Sequence, residues 1–298
     1  MPRLVPALAL LALLLAALGG PLGTTTVHGD TAVSTEAAAS APDPEVTRSE
    51  PHRDEPAAVR VAGACPRCAA TPDLTQSSPA LGLPHEGGSY CGAVAATNAL
   101  AWLGTRGFTQ LTSPRGLLAM PEHLGWKRYL RTHPRRGTLP FDLVRGLEHW
   151  VVDRGYAVET LRYAGVRDHP ARHSAGLLRP DLAFLAAGLE RDGVVLLHVG
   201  WYEEARPGRF ARVGGHWMTL VGLEEATGTL WVHDPAPYAS EGAAERIVVR
   251  ELPRGRVLRP AGLGHLDARG FLELADGMAL RNGRERAILD GAVALRVR

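Results

Sequence analysis

The sequence predicts an α+β protein, in which helices come first along the folded part and antiparallel strands come later. Helices are indicated by stretches that are rich in helix formers or carry apolar residues at helical spacing, at 92–103, 137–155 and 179–193. Strands are indicated by apolar or alternating runs, at 156–162, at 194–202, after His216 and at 229–233. The stretch 92–103 is apolar on both of its faces, so we expect this helix to be buried in the middle of the domain.

The N-terminal residues 1–22 have the pattern of a secretory signal peptide. Arg3 precedes an apolar run over residues 4–18, and Ala-Leu-Gly at 17–19 offers the small residues that a signal peptidase reads. An uncleaved membrane anchor is the alternative, but the run is short for a span and ends in Gly-Gly-Pro. We therefore expect a secreted, periplasmic or cell-envelope protein with no membrane span after signal cleavage.

Residues 23–72 are rich in Thr, Ser, Ala, Pro and acidic residues and show no apolar period. Such a segment buries too little surface to offset the entropy of ordering it, so we interpret it as a disordered linker or a propeptide. Its end carries Cys65 and Cys68 in the motif ACPRC, which fits half of a zinc site, a redox motif or a short disulfide. Zinc would need a second pair of ligands, and export favours a local disulfide.

We assign residues 73–258 to one domain and residues 259–298 to a C-terminal β appendage, whose short alternating runs are split by Gly and Asn-Gly. The charge and composition of the chain also limit its partners. The formal net charge is +2, and no basic stripe is interleaved with aromatics, so a nucleic-acid partner is not expected. No metal or other cofactor is expected, and the sequence does not indicate an oligomeric state.

Cys91 is the remaining cysteine of three, and an unpaired cysteine in an exported chain needs an explanation. The preceding loop contains Pro84 and two glycines, and the predicted helix begins directly after it. At a helix start, free backbone N–H groups and the positive end of the helix dipole favour a thiolate and can hold an oxyanion. The alternative is a small buried structural cysteine.

A thiolate nucleophile requires a base, and the chain has twelve histidines. His216 follows two glycines at the start of a predicted strand, and Asp234 ends the next predicted strand, before Pro235. A hairpin between these strands would place His216 beside Asp234, where a carboxylate fixes the tautomer and orientation of an imidazole. A packed strand-end histidine and an ordinary Asp-Pro turn are the alternatives for each residue taken singly.

These motifs resemble three blocks of the papain-like cysteine peptidases, nearest to the bacteriocin leader peptidases, also called double-glycine peptidases. The resemblance covers about residues 73–240 and is carried by YCGAVAATNALAWL, GGHWMTLVG and WVHDPAPY. It implies the papain-like fold, with a central N-terminal helix packed on an antiparallel β-sheet. It also implies a Cys91 nucleophile, a His216 base, an orienting Asp234 and a peptide or protein substrate.

One position departs from the family pattern. The glutamine that helps to hold the oxyanion in that family is replaced here by His85, and the nearest upstream glutamine is Gln76. We expect Gln76 to take this role, because its amide is a donor at every pH, with His85 or backbone groups alone as the alternatives. The expected activity is hydrolysis of peptide bonds. The alternative hypotheses are acyl transfer by the same residues and an inactive binding module.

Overall fold

The computed structural model describes residues 65–239, 242–260, 262–280 and 282–298. The predicted signal peptide and most of the predicted linker lie outside these residues. Within the described ranges, no helix combines the length and apolar character that crossing a bilayer would require.

The α-helices at 91–105, 140–153 and 182–189 agree in position with the helical patterns of the sequence, whereas those at 66–70, within the predicted linker, and at 120–125 were not predicted. Pro140 opens one helix, where its missing N–H costs nothing, and the Asp181 carboxylate caps another by accepting a 2.8 Å hydrogen bond from the Phe184 N–H. The helices are α1 (Pro66–Ala70), α2 (Cys91–Thr105), α3 (Met120–Gly125), α4 (Pro140–Asp153) and α5 (Leu182–Leu189).

Strands dominate the second half of the chain. They are β1 (Val158–Gly165), β2 (Val194–Arg206), β3 (Arg209–Glu224), β4 (Thr229–His233), β5 (Glu245–Glu251), β6 (Val257–Arg259), β7 (Leu266–Asp267), β8 (Leu272–Asp276) and β9 (Glu285–Val297). The three longest, β2, β3 and β9, span 13, 16 and 13 residues. These long strands are neighbours in the sheet.

The sheet closes on itself. Strand β2 pairs with β3 on one side and with β9 on the other, and antiparallel pairing continues from β3 through β4, β5 and β8 back to β9. The result is a closed antiparallel barrel of six strands. Strand β1 extends the sheet beyond β9, β6 pairs in parallel with β3, and β7 pairs with β6.

The predicted fold class is therefore wrong. The papain-like arrangement requires a helix packed on an open antiparallel sheet, whereas this protein is mostly β and its sheet forms a barrel. Helix α2 does contact β3, where the Thr219 hydroxyl donates a 2.8 Å hydrogen bond to the Ala95 carbonyl. The difference arises because β9, at the end of the chain, pairs with β2 and closes the gap that an open sheet would leave.

Side chains alternate between the barrel interior and the helical layer, as the pleat of a strand requires. Val195, Leu197 and Val199 of β2 join an apolar cluster drawn from all six barrel strands, which α5 covers with Leu185 and Leu189. Val194 and Leu196 of β2 belong to a second cluster that contains the buried side of α2. Helix α2 thus lies against the outside of the barrel.

A bulge places a carboxylate inside the structure. The register between β2 and β9 shifts between His198 and Val199, which leaves Asp290 as an extra residue on β9. The Asp290 side chain is fully buried and accepts hydrogen bonds from the Tyr202 hydroxyl, at 2.7 Å, and from Arg212 Nε, at 2.6 Å. These donors satisfy the buried charge.

Removing one member of this buried ion pair should lower the free energy of unfolding more than removing both members does. We expect Asp290→Ala to lower the free energy of unfolding by about 3–5 kcal/mol, because it leaves the Arg212 cation buried without its partner. The double change Asp290→Leu with Arg212→Leu should cost less, because no unpaired charge remains. Urea unfolding monitored by circular dichroism measures both; a loss below about 1 kcal/mol for Asp290→Ala would contradict this account.

Candidate active site

Cys91 is the first residue of α2, and every residue of this helix from Gly92 to Leu103 is buried. The Cys91 side chain is half-buried and its thiol is free, whereas Cys65 and Cys68 form a disulfide, as the sequence predicted. No side chain caps the start of the helix, and the first N–H bonded back to the preceding turn is that of Val94, to the Tyr90 carbonyl at 2.9 Å. The N–H groups before Val94 therefore face the same region as the Cys91 thiol.

The residue after Cys91 has to be glycine. A Cβ at Gly92 would lie 2.9 Å from the Thr138 Cβ and 3.1 Å from the Trp217 Cδ1. The Trp217 indole N–H also donates a 2.9 Å hydrogen bond to the Thr138 carbonyl. Helix α2 can therefore reach β3 at this depth only because Gly92 has no side chain.

The β3–β4 hairpin brings His216 and Asp234 together. Thr219 of β3 is paired with His233, the last residue of β4, so the residues just beyond this pair meet at the same end of the hairpin. His216 Nε2 donates to Asp234 Oδ1 at 2.5 Å, and both side chains are buried. The same oxygen also accepts a 2.9 Å hydrogen bond from the Ala236 N–H.

His216 also contacts the cysteine. The Cys91 side chain lies near the His216 ring and is one of the groups that raise the pKa of this imidazole. Because Nε2 is engaged with Asp234, Nδ1 is the nitrogen left to face the sulfur. The structure thus brings the three predicted residues together, with the imidazole bonded to the carboxylate and near the thiol. They come from the start of α2, the middle of β3 and the segment after β4.

The charges of the site favour a protonated His216. Burial alone would lower the pKa of this imidazole, but the Asp234 charge and hydrogen bond, together with the contact to Cys91, raise it to about 10. At neutral pH the ring is therefore an imidazolium. This places a cation beside the half-buried Cys91 side chain.

Gln76 lies between the loop before Cys91 and the end of β4. Its side-chain amide donates a 3.0 Å hydrogen bond to the Gly87 carbonyl, and its backbone N–H donates a 2.8 Å hydrogen bond to the Pro235 carbonyl. Gly87 packs so closely that a Cβ there would lie 1.7 Å from the Gln76 carbonyl oxygen. His85, the alternative, is exposed and has a left-handed backbone with φ of 53°.

Two neighbours of the site were not identified from the sequence. The Trp201 ring stacks near the His216 ring, with centroids 5.9 Å apart and planes inclined by 26°. Thr138 lies against Gly92 and accepts the hydrogen bond of the Trp217 indole N–H. Neither residue carries a motif, and they reach the site through strand pairing and loop packing, so no local pattern could have revealed them.

His198 is a packed strand residue. Its ring stacks on Trp217 at 4.4 Å, and burial, reinforced by the nearby Arg212 cation, keeps its pKa well below the ordinary value for histidine. A histidine held neutral in this way does not supply the imidazolium of the site. Across the described ranges, no cluster of His, Cys, Asp and Glu side chains is suited to hold a metal ion.

No protein-family model matches this chain, and no curated protein matches it significantly. The resemblance to leader peptidases therefore remains a prediction carried by the three sequence blocks.

Asp234→Asn should lower the pKa of His216 from about 10 toward or below the ordinary histidine value of ~6.5, because burial then acts without the opposing charge. NMR titration of the His216 ring carbons measures this directly, with Asp276→Asn as a control at an exposed ion pair. A wild-type His216 that titrates near 6.5 would refute the assigned role of Asp234.

Because folding raises the pKa of His216, the His216–Asp234 pair should stabilise the fold fully below pH ~6.5 and lose that contribution as the pH rises through about 10.

Proposed function

We propose that this protein is a cysteine peptidase that hydrolyses peptide bonds through an acyl-enzyme on Cys91. The observation that carries the proposal is that His216, hydrogen-bonded to Asp234, lies near Cys91, whose side chain helps to raise the pKa of the imidazole. A half-buried thiol beside an imidazolium, at an uncapped helix start, is the arrangement that thiol acyl chemistry needs. A structural cysteine needs neither the base nor the free N–H groups.

The chemical steps follow from the positions of these atoms. The Cys91 thiolate attacks the carbonyl carbon, a C–S bond forms, and the carbonyl π electrons move to the oxygen. The His216 Nδ1–H then gives its proton to the leaving nitrogen as the C–N bond breaks. Nδ1 next accepts a proton from a water molecule that attacks the thioester, and the thiolate leaves. Asp234 accepts the Nε2–H throughout and keeps the ring oriented.

The transient oxyanion has two sources of hydrogen bonds. The first is the set of backbone N–H groups at the start of α2, before the helical bonding begins at Val94. The second is the side-chain amide of Gln76, which has two N–H donors and uses one on the Gly87 carbonyl. Burial of Gln76 and its link to Pro235 support this residue over the exposed His85.

Cys91 should be trapped by an epoxysuccinyl inhibitor of cysteine peptidases. Because Cys65 and Cys68 are disulfide-bonded, a single covalent adduct is expected, at Cys91. Intact mass and peptide mapping identify it, and Cys91→Ser, which removes the free thiol, is the control. Absence of labelling in the folded wild-type protein would count against a nucleophilic Cys91 and favour a binding module.

His216→Ala should lower peptide cleavage at least ~10³-fold while circular dichroism stays unchanged, because the general acid and base is lost. Asp234→Asn should lower the rate less, since the imidazole remains beside the thiol. His265→Ala, at an exposed position, is the control for histidine removal. If His233→Ala or His198→Ala inactivates the protein while His216→Ala does not, the assignment of the base is wrong.

A further inference from the structure

A tight arginine-bearing turn stands beside the start of α2. This segment, residues 133–137, is called the arginine turn below; it is closed by two backbone hydrogen bonds between His133 and Gly137, of 3.0 Å and 2.9 Å. The Arg135 N–H also donates a 3.1 Å hydrogen bond to His133 Nδ1. These bonds restrict the backbone that carries Arg135 and Arg136.

The arginine turn is attached to the neighbours of both proposed catalytic residues. The Ser89 hydroxyl donates a 2.7 Å hydrogen bond to the Pro134 carbonyl. Thr138, directly after the turn, contacts Gly92 and Trp217, which follow Cys91 and His216 in the chain. The turn is thus fixed on the rim of the candidate active site.

Two cations of this rim have no acidic partner among the residues that the structure describes. Arg135 and Arg136 are exposed, and in the part of the chain that the structure describes neither side chain forms an ion pair. The adjacent Arg131, by contrast, lies 3.6 Å from Asp142. Glu86 is exposed on the loop before Cys91, and no ion pair among the described residues joins it to Arg135 or Arg136.

We propose that Arg135 and Arg136 select peptides that carry Asp or Glu within a few residues of the scissile bond. This inference rests on the proposed peptidase function and specifies its substrate class. Guanidinium groups bind carboxylates with paired hydrogen bonds, and an extended peptide advances ~3.3 Å per residue across such a rim. The overall charge of +2 supplies no comparable attraction, so the selectivity is local to the turn.

Cleavage-site profiling tests the proposal. A proteome-derived peptide library is digested with the wild-type protein, with Arg135→Gln/Arg136→Gln and with the control Arg254→Gln/Arg269→Gln, whose arginines are exposed on the connections between β5 and β8. Mass spectrometry gives the residues around each cleaved bond. We expect acidic residues to be enriched in the wild-type and control profiles, and the rate ratio for matched Glu and Gln peptides to fall about threefold to tenfold in the arginine-turn variant.

A wild-type profile without acidic enrichment would overturn the proposal, as would enrichment that survives in the arginine-turn variant. The preference should also weaken with added salt, because the Debye length is about 10 Å at 0.1 M ionic strength.

A second measurement separates this inference from the peptidase proposal. The rates at which iodoacetate, an anion, and iodoacetamide, a neutral analogue, alkylate Cys91 are compared in the same three proteins. We expect the iodoacetate-to-iodoacetamide ratio to fall in the arginine-turn variant only. If no peptide is cleaved, the peptidase proposal is refuted, but a fall in the alkylation ratio would still support anion selection by Arg135 and Arg136. An alkylation ratio that is unchanged in the arginine-turn variant would overturn the anion-selection inference.

Discussion

The two-sided pairing of β2 is the constraint on which the rest of the structure depends. Because β2 bonds to β3 and to β9, the sheet closes into a barrel whose interior is filled by alternate residues of every barrel strand. Closure holds β3 in place, and β3 carries both His216 and the outward-facing Thr219 that bonds to α2. The position of Cys91 relative to His216 is therefore set by strand pairing, with α2 docked on the outside.

Strand β3 also carries two charged groups into buried surroundings. Arg212 bonds to Asp290, and four residues later His216 bonds to Asp234. Burying an ion pair is costly unless further hydrogen bonds satisfy it, and both carboxylates have them, from the Tyr202 hydroxyl and from the Ala236 N–H. The low-dielectric surroundings strengthen the attraction that keeps His216 protonated.

Residues 67–76 contact both the Trp102 end of α2 and the end of β4 next to the site. The Arg67 guanidinium stacks 4.0 Å above the Trp102 ring and donates to the carbonyls of Leu189, Arg191 and Gly193. Further along, the Pro72 carbonyl lies 3.0 Å from His233 Nδ1, and Gln76 bonds to Pro235. The segment thus supports the end of β4, where Asp234 holds the imidazole.

The sequence alone determined the features that depend on short separations along the chain. Helix α2 with a cysteine at its first turn follows from local composition, and the Cys65–Cys68 disulfide closes over two intervening residues. A hairpin of β3 and β4 brings His216 beside Asp234. The tertiary structure decided the rest. The barrel, which overturned the predicted fold class, requires β9 to pair with a strand far earlier in the chain. The placements of Thr138, Gln76 and Asp290 likewise depend on contacts between distant segments, which no periodicity or motif encodes because such contacts form only when the whole chain packs.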